Sequence, residues 1–305
     1  MHHRYFQIAG ITIRFEVDFN LEKSTFKPAI ACFSIEKPGA DIVTLHRYFK
    51  LPDLNTHNLG NLIYQTKPWT IYENKSNGHQ YYLRLSPDGN LRKLKYFADF
   101  NEDFTFGKIY SQQLIKQRIL NDGWLNLTGF ASDSMWLTQL LVNRSALNIH
   151  SASAILNGNG LMFIGRSEAG KTTTTRLLQH ARDRDNASVS ILCDETNIAR
   201  RNNGKWRVYG TWGHGEEEEV SPLSAPLKGI FVLRKDKINK ISRLSDKKQI
   251  LRQLLSVVFR PLMTKSWWEK EINILNQLIN EVPMFEMYFD KTGRIIHLLD
   301  ALDLD

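Results

Sequence analysis

An eight-residue segment with two glycines, a lysine and a threonine has the composition of a phosphate-binding loop. Residues 165–172 read Gly-Arg-Ser-Glu-Ala-Gly-Lys-Thr, which is the Gly-x4-Gly-Lys-Thr (Walker A) pattern. The apolar segment 161–164 precedes this loop, and residues 172–179 have the character of a helix start. Strand, glycine-rich loop and helix follow one another as the motif requires, so the sequence predicts that this segment binds the phosphates of a nucleotide.

The residue types in the loop explain this chemistry. Gly165 and Gly170 permit backbone conformations in which successive N–H groups point at phosphate oxygens, and the following helix start adds partial positive charge. Lys171 can reach the β- and γ-phosphates, and the hydroxyl of Thr172 can bind Mg²⁺. We therefore predict a site for ATP, or another nucleoside triphosphate, together with Mg²⁺. The predicted nucleotide-binding residues are Gly165, Arg166, Ser167, Glu168, Ala169, Gly170, Lys171, Thr172 and Thr173.

Two adjacent carboxylates, Asp194 and Glu195, follow the apolar segment 189–193. Phosphoryl-transfer enzymes use a carboxylate at the end of a strand near the loop to hold Mg²⁺, and in some cases to accept a proton. An apolar run that ends in acids can also be a strand that simply reaches solvent. Because the pair follows the phosphate loop, we predict that Thr172, Asp194 and Glu195 bind the metal and that Asp194 or its neighbour acts as the base.

A histidine lies upstream of the loop and can return to it through a hairpin. His150 precedes the turn sequence 157–160, after which the chain returns as the strand that feeds Gly165. A single histidine is more often a structural residue than a functional one. The candidate catalytic residues are Asp194, His150 and Lys171.

Composition limits the classes of protein that this chain can belong to. Its 305 residues include 42% hydrophobic and 24% charged residues, as in globular proteins. Residues 1–6 lack the apolar core of a signal peptide, and two cysteines make no disulfide framework, so we expect a cytoplasmic protein. The net charge of +8 suits an anionic partner or a solvated basic surface. Since no basic cluster is interleaved with aromatic residues and no apolar run could span a membrane, we predict neither a nucleic-acid nor a membrane partner.

The chain divides by pattern into a β-rich part and a part in which helices and strands alternate. Turn sequences at 77–78 and 86–90 separate short segments that are rich in β-forming residues. These strand candidates are 4–18, 28–35, 41–49, 69–74, 79–86 and 91–97. We predict a β-rich N-terminal module at 1–108, and a helical connector with a P-loop kinase domain at 109–305.

Between residues 146 and 290 the chain resembles the HPr serine kinase/phosphorylase family, and more closely the HPr-kinase-like proteins. In that family a histidine lies fifteen residues before the first glycine of the loop, as His150 does before Gly165. The family's paired acids correspond to Asp194 and Glu195. The resemblance implies an α/β P-loop kinase core of the HPr kinase/PEP carboxykinase type, with a β-rich N-terminal domain.

Three departures from the family pattern limit this resemblance. Glu168 occupies a position where HPr kinases have glycine, and Glu195 replaces the second aspartate. The Glu-x-Arg-Gly-x-Gly signature of true HPr kinases is missing, and residues 207–212 stand in the corresponding region. The resemblance therefore does not extend to HPr as the substrate.

The resemblance and the motifs together predict a kinase that transfers the γ-phosphate of a nucleoside triphosphate to a hydroxyl group. The acceptor would be a Ser or Thr of a peptide or small protein, or a small molecule. The alternatives are a P-loop ATPase or nucleotide switch without a phosphoryl acceptor, and a nucleotide-binding scaffold without turnover. The resemblance also makes a homo-oligomer possible.

Overall fold

The chain forms two compact units, Met1–Leu140 and Leu141–Asp305. The computed structural model describes residues 1–85, 94–121, 123–128, 133–185, 187–260 and 264–303. The turn predicted at 86–90 and the start of the strand predicted at 91–97 lie outside these residues. Within the described ranges, every helix is too short or too polar to cross a membrane.

The first unit is built on a nine-stranded mixed sheet. Its strands are β1 (His2–Ile8), β2 (Ile11–Val17), β3 (Ser34–Ile35), β4 (Ile42–Tyr48), β5 (Asn61–Thr66), β6 (Trp69–Asn74), β7 (His79–Arg84), β8 (Tyr96–Phe100) and β9 (Phe106–Ser111). They are ordered β3-β1-β2-β4-β9-β8-β7-β6-β5. The helices are α1 (Pro28–Ala31), α2 (Gln113–Asn121) and α3 (Ser134–Val142), the last of which runs past the end of the unit. The segment predicted as a helical connector thus begins inside β9, because Ile109 pairs with Ala98 in the sheet.

The second unit is built on an eight-stranded mixed sheet. Its strands are β10 (Ala146–Leu156), β11 (Asn159–Ile164), β12 (Val189–Cys193), β13 (Thr196–Asn202), β14 (Lys205–Gly210), β15 (Ser224–Lys235), β16 (Lys240–Leu244) and β17 (Met284–Phe289). They are ordered β11-β10-β13-β14-β15-β17-β16, with β12 paired to β10 and β11 paired to β15. The helices are α4 (Lys171–Asp185), α5 (Lys247–Leu255), α6 (Lys265–Glu281) and α7 (Arg294–Asp300).

The prediction of an α/β P-loop core of the HPr kinase/PEP carboxykinase type is wrong. Two large mixed sheets dominate the protein, and among the described strands of the second sheet only the pairs β11–β15 and β15–β17 run parallel. Tight turns explain the difference. Asn157 and Gly158 have φ values of 50° and 82°, and Asn203 and Gly204 have 49° and 77°. Such two-residue turns join consecutive strands as antiparallel hairpins and leave no room for the crossover helices that a parallel core needs.

The strand that leads into the loop is buried on both of its faces. Met162 and Ile164 belong to a hydrophobic cluster with residues of α5 and α6, whereas Leu161 and Phe163 belong to one with residues of α4 and α7. A strand covered on both sides reads as a continuous apolar run, as residues 161–164 do. The loop therefore starts from a rigid support.

Helix α6 buries a carboxyl group that has an unsatisfied oxygen. Glu271 is 1% exposed, and its Oε1 has no hydrogen-bond partner. Its neighbours on the same face of the helix, Trp267, Ile274 and Leu275, are apolar and buried. Removal from water disfavours the carboxylate form, which raises the pKa of Glu271 to about 8.

Replacement of Glu271 by Gln is expected to flatten the pH dependence of stability. The folded protein keeps the proton of Glu271 up to about pH 8, whereas the unfolded chain loses it near the ordinary value of 4.5. The free energy of unfolding of the native protein therefore falls as the pH rises between these values, by up to about 1.4 kcal/mol per pH unit. Thermal unfolding across this pH range measures the slope. Glu269→Gln, on the exposed face of the same helix, should keep the native slope, and an unchanged slope in Glu271→Gln would contradict the prediction.

Candidate functional site

The phosphate loop joins β11 to α4, as the motif predicts, and its glycines are sterically required. A Cβ at Gly165 would lie 2.5 Å from the Cβ of Ala169. Gly170 has a φ of 111°, and a Cβ there would lie 2.7 Å from Cζ of Phe289. The amide of Ala169 donates to the carbonyl of Arg166 at 3.1 Å and closes the tip of the loop. Both glycines therefore allow a compact loop that side chains would force open.

Lys171 folds back over the loop from the first position of α4. Its Nζ donates to the carbonyl oxygen of Gly165 at 3.2 Å, and the residue is 8% exposed. Burial lowers the pKa of Lys171, while the charges of Glu195 and Asp194 act in the opposite direction. The ammonium group is thus held against the backbone of the loop, within electrostatic range of the two acids.

Four consecutive threonines at the start of α4 divide into two pairs. The hydroxyls of Thr174 and Thr175 donate to backbone carbonyls one turn earlier, and both residues are buried. Thr172 and Thr173 are half-buried, and within the described part of the chain their hydroxyls have no hydrogen-bond partner. The hydroxyls that remain available for a ligand are therefore those of Thr172 and Thr173, which the sequence pattern selected.

The strand pairing brings the predicted acids to the level of the loop. In the β10–β11 hairpin Ser151 lies opposite Ile164, the residue before the loop. On the other edge of β10, the amide of Ser151 donates to the carbonyl of Glu195 at 3.1 Å. Glu195 and the start of the loop thus flank the same residue of β10. The acids follow β12, which pairs with β10 and not with the strand that leads into the loop.

His150 and Glu195 form a direct pair. Nδ1 of His150 lies 2.9 Å from the carbonyl oxygen of Glu195 and 3.1 Å from its Oε1. The hydrogen bond from His150 lowers the pKa of Glu195 against the opposing effect of burial, and the charge of Lys171 lowers it further. Since Nδ1 carries this contact, Nε2 of the half-buried His150 stays available to a bound substrate. The contact arises because β10 pairs with β13, where His150 lies opposite Thr196, and not through the β10–β11 hairpin.

Asp194 has a different environment from its neighbour. It is 2% exposed, and its two carboxylate oxygens accept the amides of Gly215 at 2.7 Å and Glu217 at 3.0 Å. Glu195 has a side chain that is 43% exposed and faces the site. A Cβ at Gly215 would lie 3.1 to 3.4 Å from oxygens of both acids. Asp194 therefore fixes the backbone of the turn at 215–217 against the site.

A run of four glutamates, residues 216–219, begins within this turn and is attached to α4. Arg176 pairs with Glu217 at 2.7 Å, and Arg182 pairs with Glu219 at 2.6 Å. These contacts lie on the exposed side of the helix that begins at the loop. They hold the segment after 215 along α4.

The oxygen atoms at the site fit Mg²⁺. This ion prefers oxygen ligands and usually combines one or two protein groups with substrate phosphates and water. Thr172 offers a free hydroxyl and Glu195 an exposed, ionised carboxylate, whereas the oxygens of Asp194 already accept amide hydrogens. Among the described residues, no group of three His, Cys, Asp or Glu side chains could hold a metal ion, so phosphate and water oxygens would have to complete the metal's coordination.

The structure also brings residues to the loop that the sequence analysis missed. The end of β15 lies beside the loop because β15 runs parallel to β11. As a result, Cε of Lys235 lies 3.6 Å from the position of a Cβ on Gly170. Arg252 of α5 lines the same side of the loop. No local sequence pattern marks either residue, because Lys235 reaches the loop through the β11–β15 pairing and Arg252 through the packing of α5.

Glu168→Gly is expected to tighten nucleotide binding. Glu168 is exposed at the tip of the loop with a φ of 65°, a conformation that costs a non-glycine residue about 1 kcal/mol or more. Its carboxylate also adds negative charge where the phosphates of a nucleotide are predicted to bind. Removing this charge should lower the dissociation constant of Mg²⁺–ATP by roughly threefold to tenfold. Relief of the backbone strain, which is present without a nucleotide, should instead raise the free energy of unfolding. Glu168→Gln, which removes only the charge, should therefore give the same gain in affinity, and weaker binding by Glu168→Gly would contradict the prediction.

No protein-family model matches the chain, and no curated protein matches it either. The functional assignment therefore depends on the residues of the site and on their geometry.

Proposed function

We propose that this chain is a nucleoside-triphosphate-dependent phosphotransferase that moves the γ-phosphate to a hydroxyl group. The observation that carries the proposal is the convergence of the loop, Lys171 and the His150–Glu195 pair at one level of β10. A nucleotide switch needs the loop and a metal ligand, but it has no need for a histidine that orients a carboxylate beside the γ-phosphate. The motifs shared with HPr-kinase-like proteins favour the same reaction. A nucleoside triphosphate as substrate suits a cytoplasmic location of the chain, and so do the two free cysteines.

Each residue of the site has a distinct task in this proposal. Backbone N–H groups of the loop bind the phosphate chain, and Lys171 neutralises its β- and γ-oxygens. Mg²⁺ would be held by the hydroxyl of Thr172 and, through water, by Glu195, and would supply further neutralisation of phosphate charge. Asp194 holds the turn at 215–217 in place.

The transfer step uses Glu195 as the proton acceptor. The oxygen of the acceptor hydroxyl attacks the γ-phosphorus, its proton passes to the Glu195 carboxylate, and the bond from the γ-phosphorus to the bridging oxygen breaks. The nucleoside diphosphate leaves with that oxygen. His150 holds the carboxylate in position through Nδ1. Positioning and charge stabilisation dominate phosphoryl transfer, so a carboxylate with a lowered pKa is adequate for this task.

A labelling screen tests the proposal. The full chain is incubated with γ-labelled ATP and Mg²⁺ in the presence of mixed Ser-containing peptides and a library of small hydroxyl compounds, with Lys171→Ala as the inactive control. Label on an acceptor, absent with Lys171→Ala, supports the phosphotransferase and identifies its substrate class. Release of ADP and inorganic phosphate without a labelled acceptor would favour the ATPase alternative.

A further inference from the structure

A second concavity adjoins the phosphate loop on the side away from Glu195. It has a volume of about 580 Å³ and lies between the loop residues 166–169, the end of β15 and the last turn of α5. β15 pairs with one edge of β11, whereas β10, which bears His150, pairs with the other. The concavity, here called the basic pocket, therefore opens on the opposite flank of the loop from the proposed proton acceptor.

The lining of the basic pocket is strongly cationic. Four basic side chains contribute to it, and Glu168 is the single acid among the described residues of its wall. Arg234 is bound to Glu286 at 3.2 Å. Arg166, Lys235 and Arg252 have no ion pair or hydrogen bond to another side chain in the described structure. Three free cations thus face one cavity.

These three cations come from three separate elements, which distinguishes the basic pocket from an ordinary basic surface. Arg166 belongs to the loop, Lys235 to the end of β15 and Arg252 to α5. Like charges that the fold brings together repel one another unless an anion lies between them. A concave site lined by one sign of charge attracts a ligand of the opposite sign.

The remaining wall excludes several other ligands. Leu233 is buried, and the pocket is otherwise formed by small or polar residues such as Ala169, Gln253 and Ser256. The described wall contains no aromatic ring on which a nucleobase could stack. The amide of Gln253 and the hydroxyl of Ser256 can donate hydrogen bonds to oxygen atoms. The chemistry of the wall favours a phosphate or carboxylate group over a base or an apolar side chain.

We propose that the basic pocket is a second oxyanion site, which binds a phosphate or carboxylate group next to the nucleotide held by the loop. The inference deepens the proposed function, on which it rests for the occupant of the loop. It defines one class of ligand, an anionic small molecule or an anionic group of the nucleotide beyond its triphosphate. Lys235, whose side chain lies against Gly170, would connect the two sites.

Binding of inorganic phosphate to the full chain, measured by titration calorimetry, tests the proposal. The native protein should bind phosphate at two sites. Lys171→Ala should lose the loop site and keep the other, and the double variant Lys235→Gln/Arg252→Gln should bind phosphate at least tenfold more weakly at the basic pocket. Arg243→Gln/Lys248→Gln removes two exposed cations from β16 and α5 outside the pocket and serves as the matched control.

The outcomes separate the proposal from its alternatives. If phosphate still binds to the basic pocket when Mg²⁺–ADP fills the loop, the ligand of the pocket is a separate anionic molecule. If ADP competes with phosphate for the pocket in Lys171→Ala, the ligand is an anionic group of the nucleotide. Equal binding by the native protein and Lys235→Gln/Arg252→Gln, or an equal loss in the control, would overturn the proposal. Phosphate binding can be measured without turnover. A second phosphate site in a protein that has no transferase activity would therefore contradict the proposed function and still support the basic pocket as an oxyanion site.

Discussion

Lys171→Ala is expected to lower the rate of γ-phosphate transfer by about 10²- to 10³-fold, because it removes the cation that would neutralise the β- and γ-phosphates in the proposed reaction. Nζ of Lys171 is held at 3.2 Å from the carbonyl of Gly165, so its position at the mouth of the loop is fixed before a nucleotide binds. Such a preorganised charge needs little rearrangement during the reaction. Binding of Mg²⁺–ATP should weaken as well, and both quantities can be measured on the same preparation.

The control for Lys171→Ala is Arg184→Ala, which removes an exposed cation from the last turn of the same helix. The control should bind Mg²⁺–ATP and transfer phosphate as the native protein does. If Lys171→Ala keeps native affinity and native turnover while remaining folded, the assignment of residues 165–172 as the nucleotide site is wrong.

Glu195→Gln is expected to lower turnover by about 10²- to 10⁴-fold while the protein still binds its nucleotide. The amide has nearly the same shape and can keep a contact with His150, but it cannot accept the proton of a hydroxyl. Because His150 and Lys171 hold the pKa of Glu195 below its ordinary value, the carboxylate is ionised at neutral pH in the native protein. Rates of transfer and nucleotide affinity, measured side by side, separate these effects.

The adjacent acid provides a matched comparison. Asp194→Asn replaces one acceptor oxygen with an amide group and leaves a backbone N–H of Gly215 or Glu217 without its partner. A lost buried hydrogen bond of this kind costs about 1–3 kcal/mol of stability. Glu195→Gln should therefore impair turnover and change the free energy of unfolding less than Asp194→Asn does, because the side chain of Glu195 is 43% exposed. Native turnover in Glu195→Gln would contradict the role of the carboxylate.

The site could be predicted from sequence where its geometry is local. The motif and its flanking segments predicted β11, the loop and the start of α4, and the structure has these elements in that order. The hairpin predicted from the turn sequence at residues 157–160 is likewise confirmed. These features depend on residues that are close together in the chain, so a short window contains the information.

The arrangement of the second sheet could not be predicted in this way. The prediction of an α/β core was wrong because β11 pairs with β15, which lies far along the chain. Between them, β13 and β14 form an antiparallel hairpin. The pattern of apolar residues identifies a strand but does not specify its partner. Lys235 and Arg252 reach the loop only through this non-local pairing and packing, which explains why the basic pocket has no signature in the sequence.

The distinct environments of Asp194 and Glu195 also exceed what a sequence reveals. Both follow β12, and either could have faced the loop. At this point the chain passes from β12 to β13 along one edge of β10, where the register shifts. That local geometry buries Asp194 against the amides of the 215–217 turn and turns Glu195 towards His150.

A single-turnover experiment tests the central claim most directly. The full chain, in excess over γ-labelled ATP and Mg²⁺, is mixed with an acceptor from the labelling screen and quenched at intervals. The account predicts that label appears on the acceptor hydroxyl as fast as ATP disappears, and that Glu195→Gln slows this step by at least about 100-fold with the nucleotide still bound. Label that is released as inorganic phosphate at a rate independent of the acceptor would contradict it.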